Sequence, residues 1–198
     1  MRILGQDSRL LYTLLVGGVA CQRLFELRLA ARNRRALLAR GAVEAAPGHY
    51  PAMVALHTAF LAACPLEVWW LRRPFVPLLA AAMAILLAAA AGLRLWAIAT
   101  LGERWTTRIL CLPGAPPVTG GPYRHLRHPN YLAVVIEMAA LPLLHGAWLT
   151  ATAFSAANGV LLRVRIRAEE AALGSCSDYG AALAGRARLL PGAGRPAP

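Results

Sequence analysis

The sequence predicts an all-α integral membrane protein, a polytopic bundle of about five transmembrane helices whose last two form a tight hairpin. Of the 198 residues, 58% are hydrophobic and 15% are charged, and the mean hydropathy is +0.51. Soluble domains average about 45–50% apolar and about 25% charged residues. Apolar segments alternate with short arginine-rich stretches, which is the pattern of membrane-spanning helices and their flanks. The Gly-x-Gly-x-x-Gly fingerprint does not occur, so no Rossmann domain is expected.

The positive charge indicates membrane orientation rather than nucleic-acid binding. All 21 basic residues are arginines, and the formal net charge is +12. Because the arginines flank apolar segments, we attribute them to topology and to anionic lipid. The abundance of Arg, Ala, Leu and Gly without any Lys indicates a bacterial coding bias. No cysteine spacing is typical of a metal site or a disulfide framework, so neither is expected from Cys21, Cys64, Cys111 and Cys176.

Three apolar segments, at residues 10–28, 52–71 and 75–101, fill the first half of the chain and predict an N-terminal unit over residues 1–103. Each approaches the roughly 20 residues that a bilayer core requires. The second carries His57, and an ionisable residue inside a membrane is a candidate for function. His57 is therefore a candidate substrate ligand, with a simple interhelical contact as the alternative.

The predicted hairpin lies at residues 131–144 and 148–162, on either side of His145-Gly146. Each arm is short for a full crossing. Arginine counting gives fifteen residues on one side of the membrane and four on the other, which puts the N-terminus outside and the C-terminus in the cytoplasm. The same orientation brings three segments to one cytoplasmic face: the 104–117 loop, the 120–131 stretch and the 163–170 segment.

The 120–131 stretch has the features of a site. Two arginines and two histidines stand between a Gly-Gly-Pro break and an apolar run. Proline suits the first position of a helix, so His128-Pro129 predicts a helix start. The N-terminus of a helix presents free N–H groups and a positive dipole end, which suits an anionic group.

Several motifs lie on either side of the predicted hairpin: Gly121-Pro122-Tyr123, Arg127-His128-Pro129-Asn130-Tyr131, Arg165, Glu169, Glu170 and Tyr179. In combination with the hairpin, they resemble the isoprenylcysteine carboxyl methyltransferase family, which is close kin to the phospholipid methyltransferases. The resemblance covers residues 104–191 and implies a catalytic core at 104–190, in an integral membrane enzyme that uses S-adenosylmethionine without a Rossmann domain. The Pro- and Gly-rich end of the chain predicts a flexible tail at 191–198.

The resemblance also implies roles for single residues. Arg165 and Glu169 would be catalytic, and Arg165 would hold the acceptor. Glu137 and the intramembrane His57 are further candidates for acceptor binding that the resemblance does not itself assign. Asn130 stands where the eukaryotic enzymes carry Ser, and Glu137 replaces their Gln. The residues expected at the cofactor are Arg108, Pro116, Pro117, Val118, Tyr123, His128, Pro129, Asn130, Tyr131, Glu169 and Glu170.

Methyl transfer from a sulfonium to an oxyanion destroys charge, so a dry site that holds both ions in line favours it. The fork of the Arg165 guanidinium suits a carboxylate or a phenolate, and Glu169 lies one helical turn further on the same face. A neutral phenol would also need a general base, for which His128 and Glu169 are candidates.

The leading hypothesis is O-methylation of a lipophilic acid or phenol that is reached from the membrane. Bacterial relatives with a short N-terminal region of this kind resemble enzymes that methylate alkylresorcinols or alkylpyrones. Phospholipid N-methylation is the alternative enzyme, and a non-catalytic membrane scaffold or transporter is the alternative class. The expected partners are the lipophilic acceptor and membrane lipids, with no nucleic acid; the expected location is a bacterial inner membrane.

Overall fold

The computed structural model describes residues 2–189, with side chains from residue 7 onward, and this part of the chain is mostly helical. The predicted tail at 191–198 lies outside the described residues. One pair of very short strands, β1 (Val43–Glu44) and β2 (Leu110–Cys111), joins the helices on one side. The helices are α1 (Arg2–Ala39), α2 (Tyr50–Trp70), α3 (Pro77–Leu101), α4 (Pro129–Leu143), α5 (Trp148–Cys176) and α6 (Tyr179–Ala182).

Within residues 2–189, three segments are long and apolar enough to cross a membrane: Asp7–Ala39, Pro47–Trp70 and Pro77–Arg104. Their side chains mostly face outward. Leu14 is 62% exposed and Leu78 is 83% exposed, which is what lipid contact requires of leucines on a helix surface. The three predicted N-terminal spans are therefore present, whereas the total of five and the crossing of the hairpin stay predictions.

Helices α4 and α5 are joined by a short turn at the predicted position. Gly146 has φ = 69°, and a Cβ there would lie 3.1 Å from the carbonyl oxygen of Pro74, so a side chain at this position is strained. Helix α4 packs against both α3 and α5. Helix α5 runs past the apolar segment and ends only at Cys176, so Arg165 and Glu169 lie on the same continuous helix.

Glu67 of α2 stabilises the start of α5. Its carboxylate accepts hydrogen bonds from the backbone N–H groups of Thr150, at 2.6 Å, and Leu149, at 3.2 Å. The same carboxylate pairs with Arg73 at 2.8 Å. Helix α5 has no side-chain cap from its own N-cap residue, so Glu67 supplies the acceptor that the first turn needs.

Replacement of Glu67 by glutamine is expected to destabilise the protein by about 1–3 kcal/mol, because the neutral amide loses both the ion pair and the charge at the helix N-terminus. Thermal unfolding in detergent measures this loss. Glu103→Gln is the matched control, since the Glu103–Arg40 pair is exposed and 3.4 Å long and such pairs contribute little. Equal melting temperatures for wild type and Glu67→Gln would contradict the capping role.

On the side predicted to be cytoplasmic, two contacts join segments that are distant in the sequence. Strands β1 and β2 align Val43 with Cys111, which fixes the α1–α2 connection to the loop that follows α3. Cys111 also lies against Cys176 at the end of α5, with a Cα–Cα distance of 6.5 Å, which is within the range that a disulfide spans. The spacing of the cysteines gave no sign of this proximity, because 65 residues separate the two.

Candidate functional site

Two cavities meet where α3 ends and α4 begins. The large cavity has a volume of about 420 Å³ and is bounded by α1, α2, α4 and α5; the small cavity has about 160 Å³ and lies toward α6. They share one wall. Its polar members come from three separate parts of the chain and are Thr106, Arg108, Tyr123, Arg127 and Glu169.

The Gly-Gly-Pro break positions Tyr123 on this wall. Gly121 has φ = 54°, and a Cβ there would come within 2.3 Å of the Thr100 hydroxyl, so only glycine fits. The turn that follows, Gly121–Arg124, buries Tyr123 to 8% exposure. The backbone N–H groups of Arg127 and His128 donate to carbonyls of residues 187 and 188, which fixes the C-terminal segment beside the site.

Arg165, Tyr131 and Glu169 form a hydrogen-bonded chain at the centre. The Nε of Arg165 donates to the Tyr131 hydroxyl at 3.0 Å, and that hydroxyl donates to the Glu169 carboxylate. The Nη2 of Arg165 donates to the Thr107 carbonyl at 2.6 Å. Arg165 is only 4% exposed and lines the large cavity, and its buried Nη1 has no partner among the described residues. One guanidinium donor is thus free for a ligand.

Tyr123 and Tyr179 face the small cavity together with Glu169. Burial raises the pKa of both phenols, and the nearby Glu169 carboxylate raises it further. Both rings therefore remain protonated and can donate a hydrogen bond. The Tyr179 hydroxyl is buried and has no partner within residues 2–189. The opposite wall includes the predicted segment Pro116, Pro117 and Val118.

Arg108 lines both cavities, and its charge is neutralised by Glu44, which lines neither cavity. It bonds Glu44 at 2.5 Å and lies over the Tyr50 ring with its guanidinium carbon 4.0 Å from the ring centre. Burial alone would raise the pKa of Glu44, but hydrogen bonds from Arg108 and Arg34 outweigh it and lower that pKa. Arg108 is therefore held as a fixed cation at the rim.

His128 and Glu170 form a second polar group, of which His128 lines the large cavity and Glu170 does not. His128 is 4% exposed, lines the large cavity and stacks on Tyr131 with ring centres 5.3 Å apart. Its Nε2 lies 3.2 Å from Glu170, which also binds Arg188 at 2.6 Å. Burial would raise the pKa of Glu170, but these hydrogen bonds lower it to about 2. Glu170 and Pro129 do not line either cavity, whereas Asn130 lines the large one.

The predicted acceptor residues His57 and Glu137 lie deeper. His57 lines the large cavity, and its Nδ1 is 2.9 Å from the Met53 carbonyl. Glu137 is held by Arg23, at 2.7 Å from both carboxylate oxygens, and by Arg94. It is not among the residues that line the cavity, whereas both arginines are.

Sequence reasoning missed several residues of the site. Thr107 supplies the carbonyl that holds Arg165, and no pattern marks it. Asn158 is 2% exposed, lines the large cavity and has an unpartnered Oδ1 within the described part of the chain. The sequence spacing could have identified Asn158, because it lies seven residues before Arg165 and therefore on the same face of α5.

The sequence of the chain is similar to one family profile and to two bacterial proteins. The profile of the isoprenylcysteine carboxyl methyltransferase (ICMT) family matches residues 82–175. A Bacillus subtilis protein described as uncharacterized protein YpbQ is 36% identical over 172 residues, covering 82% of this chain and 96% of that protein. An uncharacterized Haemophilus influenzae protein is 31% identical over 152 residues, covering 76% and 88%. No solved structure matched the chain.

Proposed function

Because the chain belongs to the isoprenylcysteine carboxyl methyltransferase family and is an integral membrane protein, we propose that it transfers a methyl group from S-adenosylmethionine to an oxygen of a lipophilic acceptor. The acceptor oxygen is a carboxylate or a phenolic hydroxyl. One observation carries the proposal. Arg165 lines the large cavity one helical turn from Glu169, which lines both cavities, and its buried Nη1 has no partner among the described residues.

The polar groups around the small cavity, and on the wall that it shares with the large cavity, suit S-adenosylmethionine. Glu169 offers a carboxylate for ribose hydroxyls or an ammonium group, and Tyr123 and Tyr179 offer protonated phenols for a carboxylate. The unpartnered Tyr179 hydroxyl supports a ligand at this position. When bound, the cofactor supplies a methyl group on a positively charged sulfur.

The large cavity fits an apolar acceptor that enters from the membrane. Its walls are lined by leucines, valine and alanine of α1, α2 and α4, among them Leu24, Leu61 and Val134. Leu24 is also 59% exposed on the outer face of α1. The same side chain therefore borders the cavity and the lipid, which supports a lateral route between α1 and α2.

In this proposal the protein binds and orients the acceptor and the cofactor, and no side chain forms a covalent bond with either of them. Arg165 holds the acceptor oxygen through Nη1, while Tyr131 and Thr107 fix its guanidinium. A carboxylate acceptor reacts as an anion, whereas a phenolic hydroxyl would pass its proton to a base, for which His128 and Glu169 are the candidates. Loss of the opposite charges of the oxyanion and the sulfonium is then favoured by the low dielectric between the helices. An amine acceptor fits less well, because its cationic product would lie beside the Arg165 charge. The arginine distribution supports a cytoplasmic site in a bacterial inner membrane.

Calorimetry with S-adenosylhomocysteine on detergent-solubilised protein tests the cofactor. We expect wild type to bind and Tyr131→Ala and Glu169→Ala to bind at least about tenfold more weakly. Transfer of labelled methyl to prenylcysteine, an alkylresorcinol, an alkylpyrone and phosphatidylethanolamine tests the acceptor. Absence of binding by wild type would overturn the methyltransferase proposal, and transfer to the amine lipid alone would overturn O-methylation.

A further inference from the structure

The inner end of the large cavity carries a second polar subsite. We propose that His57 and Asn158 bind a hydrogen-bond-donating group of the acceptor, such as a second hydroxyl, at a distance from the oxygen that is methylated. This inference rests on the proposed function, which it deepens by adding a requirement on the acceptor.

The two residues lie at the same depth. Tyr50 and Arg165 both reach Thr107, at 3.4 Å and 2.6 Å, so the start of α2 and the Arg165 turn of α5 share one level. His57 follows Tyr50 by seven residues, and Asn158 precedes Arg165 by seven. Seven residues make nearly two turns and about 10 Å of helix, and they return each side chain to the same face of its helix.

Both residues present an unused hydrogen-bond acceptor. A carbonyl oxygen only accepts, so the contact of His57 Nδ1 with the Met53 carbonyl puts the hydrogen of the neutral ring on Nδ1. Nε2 is left with a free lone pair, and the described residues offer it no partner. Asn158 is 2% exposed, and its Oδ1 is buried without a partner in the described chain. Buried polar atoms without partners are rare in native structures.

The charged groups at this depth are matched among themselves. Arg23 pairs with Glu26 and Glu137, and Arg94 pairs with the same two carboxylates. This cluster comes from α1, α3 and α4 and contains two cations and two anions, so no net charge is available to hold an anion. What remains at the inner end is two cavity-lining residues, His57 and Asn158, each with a hydrogen-bond acceptor that has no partner among the described residues.

A ligand that satisfies these acceptors must bring donors. A hydroxyl does so, whereas a second carboxylate would place its lone pairs against those of His57 and Asn158. The reacting oxygen at Arg165 Nη1 and the donor at the inner end then fix the acceptor at two points. A ring with two hydroxyls, together with a hydrogen bond of about 2.8 Å at each end, spans about 10 Å. This is the length of helix that separates Asn158 from Arg165.

The test compares two alkyl phenols that differ only in a second hydroxyl: a 3-alkylphenol and the corresponding 5-alkyl-1,3-dihydroxybenzene. We measure kcat/KM for both, and the Kd of both in the presence of S-adenosylhomocysteine. Wild type is expected to favour the dihydroxy compound by at least about tenfold in each measurement. His57→Phe and Asn158→Leu keep the side-chain volume and are expected to lose most of this preference. His57→Gln keeps an acceptor atom and is expected to retain part of it.

Leu61→Ala is the matched control, because Leu61 lies one turn after His57 and lines the same cavity without a polar atom. It is expected to weaken both compounds alike. Binding of S-adenosylhomocysteine verifies that each variant is folded. Equal kcat/KM and Kd of wild type for the two compounds would overturn the second subsite and leave the proposed function intact. Failure of wild type to bind S-adenosylhomocysteine would instead overturn the proposed function.

Discussion

Replacement of Arg165 by alanine is expected to lower kcat/KM for the lipophilic acceptor by about 100-fold or more, while the affinity for S-adenosylhomocysteine stays close to that of wild type. The reason is that the nitrogens of the Arg165 guanidinium have different partners. Nε and Nη2 donate internally, to Tyr131 and Thr107, whereas Nη1 has no partner among the described residues. Loss of that donor removes the group that holds the acceptor oxygen.

Arg165→Lys is expected to recover only a small part of the activity. A lysine ammonium carries the charge but lacks the planar fork that bonds Tyr131, Thr107 and an acceptor at the same time. Arg163→Ala and Arg167→Ala are the matched controls, because both arginines are exposed on the same helix two residues away. Equal loss of acceptor turnover and of cofactor affinity in Arg165→Ala would contradict the assigned role.

The sequence was sufficient for the features that depend on local pattern. Apolar length predicted α1, α2 and α3, the described helices that are long and apolar enough to cross a membrane, and His128-Pro129 predicted the start of α4. The four-residue spacing of Arg165 and Glu169 predicted that they share a face, and the structure joins them through Tyr131. These predictions succeeded because helix periodicity and the restrictions on proline act within a few residues.

The features that could not be predicted depend on contacts between distant segments. Glu137 is paired with Arg23 across 114 residues, and nothing in either helix alone specifies that partner. An arginine in a membrane helix needs a carboxylate, but the sequence offers several. The Glu169–Glu170 doublet posed a similar problem, because two adjacent acids on a helix point about 100° apart and only tertiary packing decides which of them faces a cavity.

Glu169→Gln is accordingly expected to weaken the binding of S-adenosylhomocysteine by about tenfold or more, whereas Glu170→Gln is expected to leave it nearly unchanged. Glu169 lines both cavities and accepts a hydrogen bond from the Tyr131 hydroxyl. Glu170 lines neither cavity, and its carboxylate is hydrogen-bonded to His128 and Arg188. The two variants remove the same charge from neighbouring positions, so calorimetry on both separates a ligand contact from a general electrostatic effect.

The cost of Glu170→Gln should appear in stability instead. Its pKa in the folded protein is about 2, below the ordinary value of about 4.3. A depressed pKa contributes stability that is present above the unfolded-state pKa and is lost as the pH falls toward the folded-state value. The melting temperature of Glu170→Gln should therefore lie below that of wild type at pH 7, and the gap should narrow as the pH falls below about 4.5. A cofactor affinity reduced as strongly in Glu170→Gln as in Glu169→Gln would show that both acids serve the ligand.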